Sequence, residues 1–136
     1  MVSYLWFVMD ADDIILKIVR LPETLRHEPS QSISSLLKAS GYLEIHGDID
    51  EVKILEIVRA HPEYVASWLQ WSDDIRSSPN PYFMQPDDGA AIVGIYPGNY
   101  FKVYSDICEA CAVFIKLQLE NIRIGSGDLN LDVLKQ

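Results

Sequence analysis

The sequence predicts a mostly helical α+β domain, with about four to five helices and a small antiparallel β-meander before the last long helix. Apolar residues recur every three or four positions over residues 15–75 and again over residues 108–122, a spacing typical of amphipathic helices. Between these segments, residues 82–104 contain short apolar runs separated by Pro- and Gly-containing turns, which is typical of hairpins. Because helices and strands are segregated along the chain, the pattern favours α+β over an alternating α/β architecture.

The chain length sets the domain organisation. Its 136 residues fit one domain, and about half of them are apolar, which is enough for a core that needs no metal or disulfide. We predict a single globular domain over residues 1–124 and a flexible C-terminal tail over residues 125–136, which begins with Gly-Ser-Gly.

The first helix is predicted to begin after Asp10, because Asp is a good N-cap. Asp12 and Asp13 follow in the first turn, where the helix dipole favours carboxylates. Pro22 is predicted to end this helix, and the polar residues 23–29 are predicted to form a loop.

The second and third helices have recognisable ends. Ser30 or Ser32 is predicted to cap the second helix, and Gly41 to end it. Asp48 and Glu51 are spaced as a capping-box-like pair at the start of the third helix. The predicted inner face of that helix consists of Val52, Leu55 and Val58.

Pro62 is predicted to be the first residue of the fourth helix. The inner face of this helix is predicted to consist of Val65, Trp68, Leu69 and Ile75. Strands are predicted at residues 82–84, 91–96 and 100–104. Ser105 is predicted to cap the last helix. Its predicted apolar stripe consists of Cys108, Cys111, Ala112, Ile115, Leu119 and Ile122.

The charge balance bears on partners. Twenty acidic residues face eleven basic ones, which gives a net charge of −9. Phosphate backbones and anionic membranes repel such a surface, so we expect neither nucleic acid nor membrane as a direct partner. The complementary partner is a cationic protein, because opposite fields speed encounter. Net negative charge also serves solubility alone, so charge does not identify the partner.

The cellular compartment is suggested by two features. The apolar residues 2–9 lack the basic residues before them and the small residues after them that mark a signal peptide. Two cysteines in a chain that needs no staple fit a reducing compartment. We therefore expect a cytoplasmic protein, more often a monomer than an oligomer.

Cys108 and Cys111 form a C-x-x-C motif at the start of the last predicted helix. A helix N-terminus lowers a thiol pKa, so this placement is compatible with a redox dithiol. Asp106 and Glu109 oppose thiolate formation, however, and both cysteines fall on the apolar stripe, which favours a buried role. We expect no metal site and no cofactor, since neither a second Cys or His pair nor a phosphate-binding glycine loop is present.

Acidic residues lie near aromatic ones in the middle of the sequence. Asp73 and Asp74 come late in a predicted helix, where the dipole disfavours anions. Helix stability therefore does not explain these two charges, and we expect them to have a functional role. Aromatic rings surrounded by carboxylates suit the capture of Lys or Arg side chains. The predicted partner-binding residues are Trp71, Asp73, Asp74, Tyr82, Asp87 and Asp88.

Three segments resemble immunity proteins of bacterial contact-dependent growth inhibition systems: SSLLKASGY at residues 34–42, AHPEYV with SWL at residues 60–69, and ACAVFIK at residues 110–116. The resemblance spans residues 4–124 and implies a non-enzymatic protein that binds and neutralises a cognate toxin domain, often a cationic nuclease. It carries over no functional residue. Two alternatives stay open from the residues: a thiol-dependent redox enzyme that uses Cys108 and Cys111, and an acidic nucleic-acid mimic that inhibits another protein.

Overall fold

Helices form most of the part of the chain that the computed structural model describes, which is residues 11–28, 30–74, 80–86, 90–96 and 100–124. The helices are α1 (Ala11–Val19), α2 (Leu21–His27), α3 (Ile33–Ser40), α4 (Tyr42–Ile45), α5 (Glu51–Ala60), α6 (Tyr64–Asp74) and α7 (Ile107–Ile124), with a 3₁₀ turn at His46–Asp48. The strands β1 (Asn80–Met84), β2 (Ala91–Tyr96) and β3 (Tyr100–Tyr104) form one antiparallel sheet in that order. The predicted tail at residues 125–136 lies outside the described residues.

The α+β class and the β-meander before the last long helix are confirmed, but the predicted number of four to five helices is wrong. The first helix ends at Val19, just before Pro22, but a second helix begins at Leu21, and Pro22 lies in its first turn, where its missing N–H has no intrahelical partner to lose. Residues 23–27, predicted as loop, are therefore helical. Gly41 ends α3 with a left-handed backbone (φ 94°), as predicted, but α4 begins at the next residue.

Short polar residues cap the N-termini of the helices, but some of these residues differ from the predicted ones. The Ser32 hydroxyl accepts the Ser35 N–H (3.0 Å), as predicted. At α5 the cap is Asp50, which accepts the Lys53 N–H (3.0 Å), and not the predicted Asp48–Glu51 pair. At α7 the cap is Asp106 instead of Ser105, and α6 begins at Tyr64, two residues after Pro62.

Helix α7 is buried on almost all sides. It packs against α5 and against the sheet, so its buried residues extend far beyond the single stripe that the sequence predicted. Helix α5 presents Ile54 and Val58 to the core, whereas Val52, predicted on the same face, is 63% exposed. The periodicity was ambiguous there because α5 carries apolar residues on more than one side.

A chain of aromatic rings joins four elements in the core. The indole N–H of Trp68 donates a hydrogen bond to the backbone carbonyl of Val19 (2.8 Å), which ties α6 to the end of α1. The Trp68 ring meets Phe114 of α7 edge to face, at 5.9 Å between centroids, and Phe114 stacks on Phe83 of β1 at 5.5 Å. All three aromatic side chains are at most 2% exposed, as Trp68 was predicted to be.

We expect Trp68→Ala to lower the free energy of unfolding by about 3–5 kcal/mol, because it removes a fully buried ring and leaves the Val19 carbonyl without its donor. Urea denaturation followed by circular dichroism measures this change. Val52→Ala is the control, and since Val52 is 63% exposed its effect stays within about 0.5 kcal/mol. A loss below about 1 kcal/mol for Trp68→Ala would contradict this view of the core.

Asp106 makes a pH-dependent contribution to the stability of the fold. Its hydrogen bond from Arg59 (2.5 Å) lowers the carboxyl pKa, an effect that outweighs burial and is supported by the backbone N–H groups of Cys108 and Glu109. A carboxyl whose pKa is lower in the folded state stabilises the fold above its unfolded pKa, about 3.9, and this stability is lost as the pH falls through the folded pKa.

Asp106→Asn tests this contribution, since Asn retains the capping ability and removes the charge. We expect wild type to be more stable than Asp106→Asn by a constant amount above about pH 5, and the difference to narrow below about pH 4. Urea unfolding midpoints at several pH values measure the difference. A gap that is unchanged at low pH would show that the carboxylate charge has no part in it.

Candidate protein-binding surface

The outer face of the sheet is apolar. Strand register places two rows of side chains on it: Met84, Ile92 and Val103 in one row, and Tyr82, Gly94 and Phe101 in the next. Met84 is 37% exposed, Phe101 49% and Val103 56%, while Tyr82 and Ile92 are half-buried. We call these six residues the outer sheet face.

The opposite face of the same sheet is the one that α7 covers. Phe83, Ala91, Val93 and Ile95 alternate with the residues of the outer sheet face and are at most 8% exposed. An antiparallel sheet of this kind usually shows polar side chains to water on its second face. Here both faces are apolar, which is the pattern of a sheet that packs against something on each side.

Gly94 occupies the centre of the outer sheet face, between Tyr82 and Phe101 on the neighbouring strands. Its backbone does not have a positive φ, so the strand does not require glycine for conformational reasons. A glycine inside a strand then either lets another group approach the backbone closely or is covered by neighbouring aromatic rings. Gly94 is itself buried, which fits flanking by the two aromatic side chains.

Helix α6 covers one edge of the sheet. The backbone N–H of Phe83 in β1 donates to the buried Ser72 hydroxyl of α6 (2.7 Å). The opposite edge is strand β3. The contact through Ser72 brings the acidic end of α6, with Asp73 next in sequence, alongside β1.

The predicted binding residues have different locations. Tyr82 belongs to the outer sheet face, and Asp73 is exposed near the end of α6. Trp71 is half-buried and packs on the core with its ring edge-to-face against Trp68 (6.2 Å). Asp74 is the last residue of α6, and Asp87 and Asp88 lie outside the described residues. Met84, Phe101 and Val103 were not among the predicted binding residues, although the alternation within 100–104 could have indicated Phe101 and Val103.

A shallow groove of about 270 Å³ lies between α5, β3 and α7. Val52 and Leu55 line one wall and Ala112 and Val113 another, while Glu51, Lys102, Tyr104 and Glu109 supply its polar groups. Its volume is below the roughly 300–1,000 Å³ typical of cofactor and substrate pockets. The groove therefore suits a single side chain better than a small-molecule substrate.

The thiols of the C-x-x-C motif are held inside the fold. Cys111 is fully buried and Cys108 is half-buried. Burial raises the pKa of both thiols, and the neighbouring Asp106 carboxylate raises that of Cys108 further. A raised pKa lowers the thiolate fraction at neutral pH, and the thiolate is the reactive form.

A second polar cluster joins the 3₁₀ turn to α7. The Tyr42 hydroxyl donates to Glu120 (2.5 Å), and the Lys116 ammonium donates to the Tyr42 oxygen (2.9 Å) and to the backbone carbonyl of His46 (2.7 Å). Burial, and then Glu120, raise the pKa of Tyr42, while burial lowers that of Lys116. Tyr42 is 0% exposed, so the cluster closes off the core instead of facing a substrate.

Over the described part of the chain, no three His, Cys, Asp or Glu side chains are grouped so that they could hold a metal ion. Within the same residues, no helix combines the length and the apolar composition that crossing a membrane requires.

Comparison with known proteins gives no match. No protein-family model, curated protein or solved structure is similar to the chain. Function must therefore be inferred from the surface and the groove themselves.

We expect the native protein to resist alkylation of its cysteines at neutral pH. Iodoacetamide should leave Cys111 unmodified and should modify Cys108 more slowly than a free thiol, because burial raises both thiol pKa values. Mass spectrometry of peptides over a time course measures this, and the protein in urea, where both cysteines react, is the control. Rapid modification of either cysteine in the native state would support the alternative of a thiol-dependent redox enzyme.

Proposed function

We propose that this chain is a cytoplasmic, non-catalytic binding protein that holds another protein against its outer sheet face. More specifically, we propose an immunity protein that neutralises a cognate cationic toxin domain, a nuclease, by stoichiometric binding. The observation that carries the proposal is the apolar outer sheet face around Phe101 and Val103.

Exposed apolar area is the first support. Monomeric proteins rarely expose contiguous apolar patches unless these bind something. Phe101 and Val103 are about half exposed on neighbouring outward positions of one strand, beside Met84 and Tyr82 on another. Large aromatic and methionine side chains of this kind are enriched in the cores of protein interfaces.

Charge is the second support. A chain with a net charge of −9 attracts a cationic protein and orients it during encounter. Apolar contacts would then supply most of the affinity, while the acidic residues would raise the association rate and the specificity. The sequence resemblance to immunity proteins agrees with this combination and suggests the class of partner.

The buried cysteines favour binding over thiol chemistry. A dithiol enzyme must present a thiolate to its substrate, whereas burial raises the pKa of both Cys108 and Cys111. The fully buried Cys111 also lies within the main core cluster, where a small apolar side chain is needed for packing.

The test is co-expression with the product of the adjacent upstream gene. We expect a stable one-to-one complex on size-exclusion chromatography and protection of the cells from the toxicity of that product. Phe101→Thr with Val103→Thr keeps strand propensity and removes apolar area from the outer sheet face, so it should weaken the complex by at least about tenfold.

Ala39→Ser with Ala66→Ser is the control, since both alanines are exposed on α3 and α6, away from the outer sheet face. It should bind like wild type. All variants are first compared by urea unfolding, so that a loss of binding is not a loss of folding. If the wild-type chain forms no complex and gives no protection, the immunity proposal is wrong. If the threonine variant binds as tightly as wild type, the interface lies elsewhere on the protein.

A further inference from the structure

Tyr104, which lines the groove between α5, β3 and α7, has a buried hydroxyl without a partner in the described part of the chain. Tyr104 is 5% exposed, and its hydroxyl oxygen is buried without a hydrogen bond to any of the described residues. Buried polar groups in folded proteins are almost always paired, so an unpaired one in a groove wall calls for an explanation. Burial, and then Glu109 and Glu51, raise the pKa of Tyr104 to about 12, so the group is a neutral phenol at pH 7.

Two carboxylates share the groove with Tyr104. Glu51 and Glu109 both line the groove, and both act electrostatically on Tyr104. Each lies in the first turn of its helix, where the dipole favours an acid. Neither carboxylate forms an ion pair with another of the described residues. The amino group of Lys102, which also lines the groove, lies over the Tyr104 ring, 5.3 Å from its centroid.

Besides the Lys102 ammonium, which lies over the Tyr104 ring, the groove offers hydrogen-bond acceptors and an apolar wall. Glu51, Glu109 and the Tyr104 oxygen can each accept a hydrogen bond, and Val52 and Leu55 offer contact to an aliphatic stem. The volume of about 270 Å³ is far above the roughly 10–15 Å³ that one water needs. A long cationic side chain meets all of these conditions at once.

We propose that the groove receives an arginine side chain of the bound protein partner, with its guanidinium between Glu51 and Glu109 and one N–H donated to the Tyr104 oxygen. Arginine fits better than lysine, because its planar group directs five N–H donors at fixed angles and is more weakly hydrated. This inference rests on the proposed function, since it assigns the arginine to a cationic protein partner. It also assigns a role to β3, whose outward side chains belong to the outer sheet face while Lys102 and Tyr104 line the groove.

The first experiment needs no partner. N-acetyl-L-arginine amide is titrated into isotope-labelled protein, up to concentrations on the order of 10 mM, and the ring signals of Tyr104 and the amide signals of Glu51 and Glu109 are followed by NMR. We expect saturable shifts that are absent with the neutral citrulline amide and weaker with the lysine amide. No saturable shift, or an equal response to lysine amide, would overturn the assignment.

Tyr104→Phe separates binding from folding. Removal of an unpaired buried hydroxyl should leave the urea unfolding midpoint unchanged or higher, while the response to arginine amide becomes weaker. A large loss of stability would mean that the hydroxyl has a structural partner, and it would count against the inference.

The second experiment uses the complex with the adjacent-gene product. Glu51→Gln with Glu109→Gln should raise its Kd by at least about tenfold, since two charge-assisted hydrogen bonds are lost. The matched control is Glu44→Gln with Glu56→Gln, which removes the same charge from exposed positions that do not line the groove. If the wild-type chain binds nothing, the proposed function fails; if it binds and both double variants behave alike, only the arginine inference fails.

Discussion

The position of α7 between α5 and the sheet determines how the other elements pack. One side of this helix packs against α5 and the other against all three strands, so its residues fill the space between two layers. Phe114 lies at the centre of that contact, between Trp68 and Phe83. Because α7 packs on one face of the sheet, the other face is left as the apolar surface that we propose binds a partner.

The elements that could be predicted from the sequence are those with local signals. The three strands followed from short apolar runs between turns, and Ser32 and Gly41 followed from the chemistry of helix ends. The loop predicted at residues 23–27 was wrong because a proline that follows one helix can also lie in the first turn of the next, and only packing decides whether a second helix forms. The cap at Asp50 was missed for a similar reason, since Asp48 and Asp50 are both good caps within one turn.

The candidate site was harder to predict because it depends on which face of each element is covered. Tyr82 was identified from its aromatic neighbours, but Phe101 and Val103 were not, since outward and inward strand positions look alike when both are apolar. Trp71 had the residue type of an interface anchor and packs mainly on Trp68. The groove at Tyr104 combines α5, β3 and α7, which are far apart in sequence, so no local pattern could indicate it.

Lys102 has a further consequence for the solubility of the protein. It is an inward-facing lysine on β3, the strand at the edge of the sheet, with its amino group over the Tyr104 ring. An edge strand with exposed apolar side chains invites pairing with the same strand of another molecule, which leads to aggregation. A charged side chain on the inward face of that strand disfavours such pairing, because the added strand would bury the charge. Lys102 thereby disfavours self-association through β3 even though the neighbouring outer sheet face is apolar.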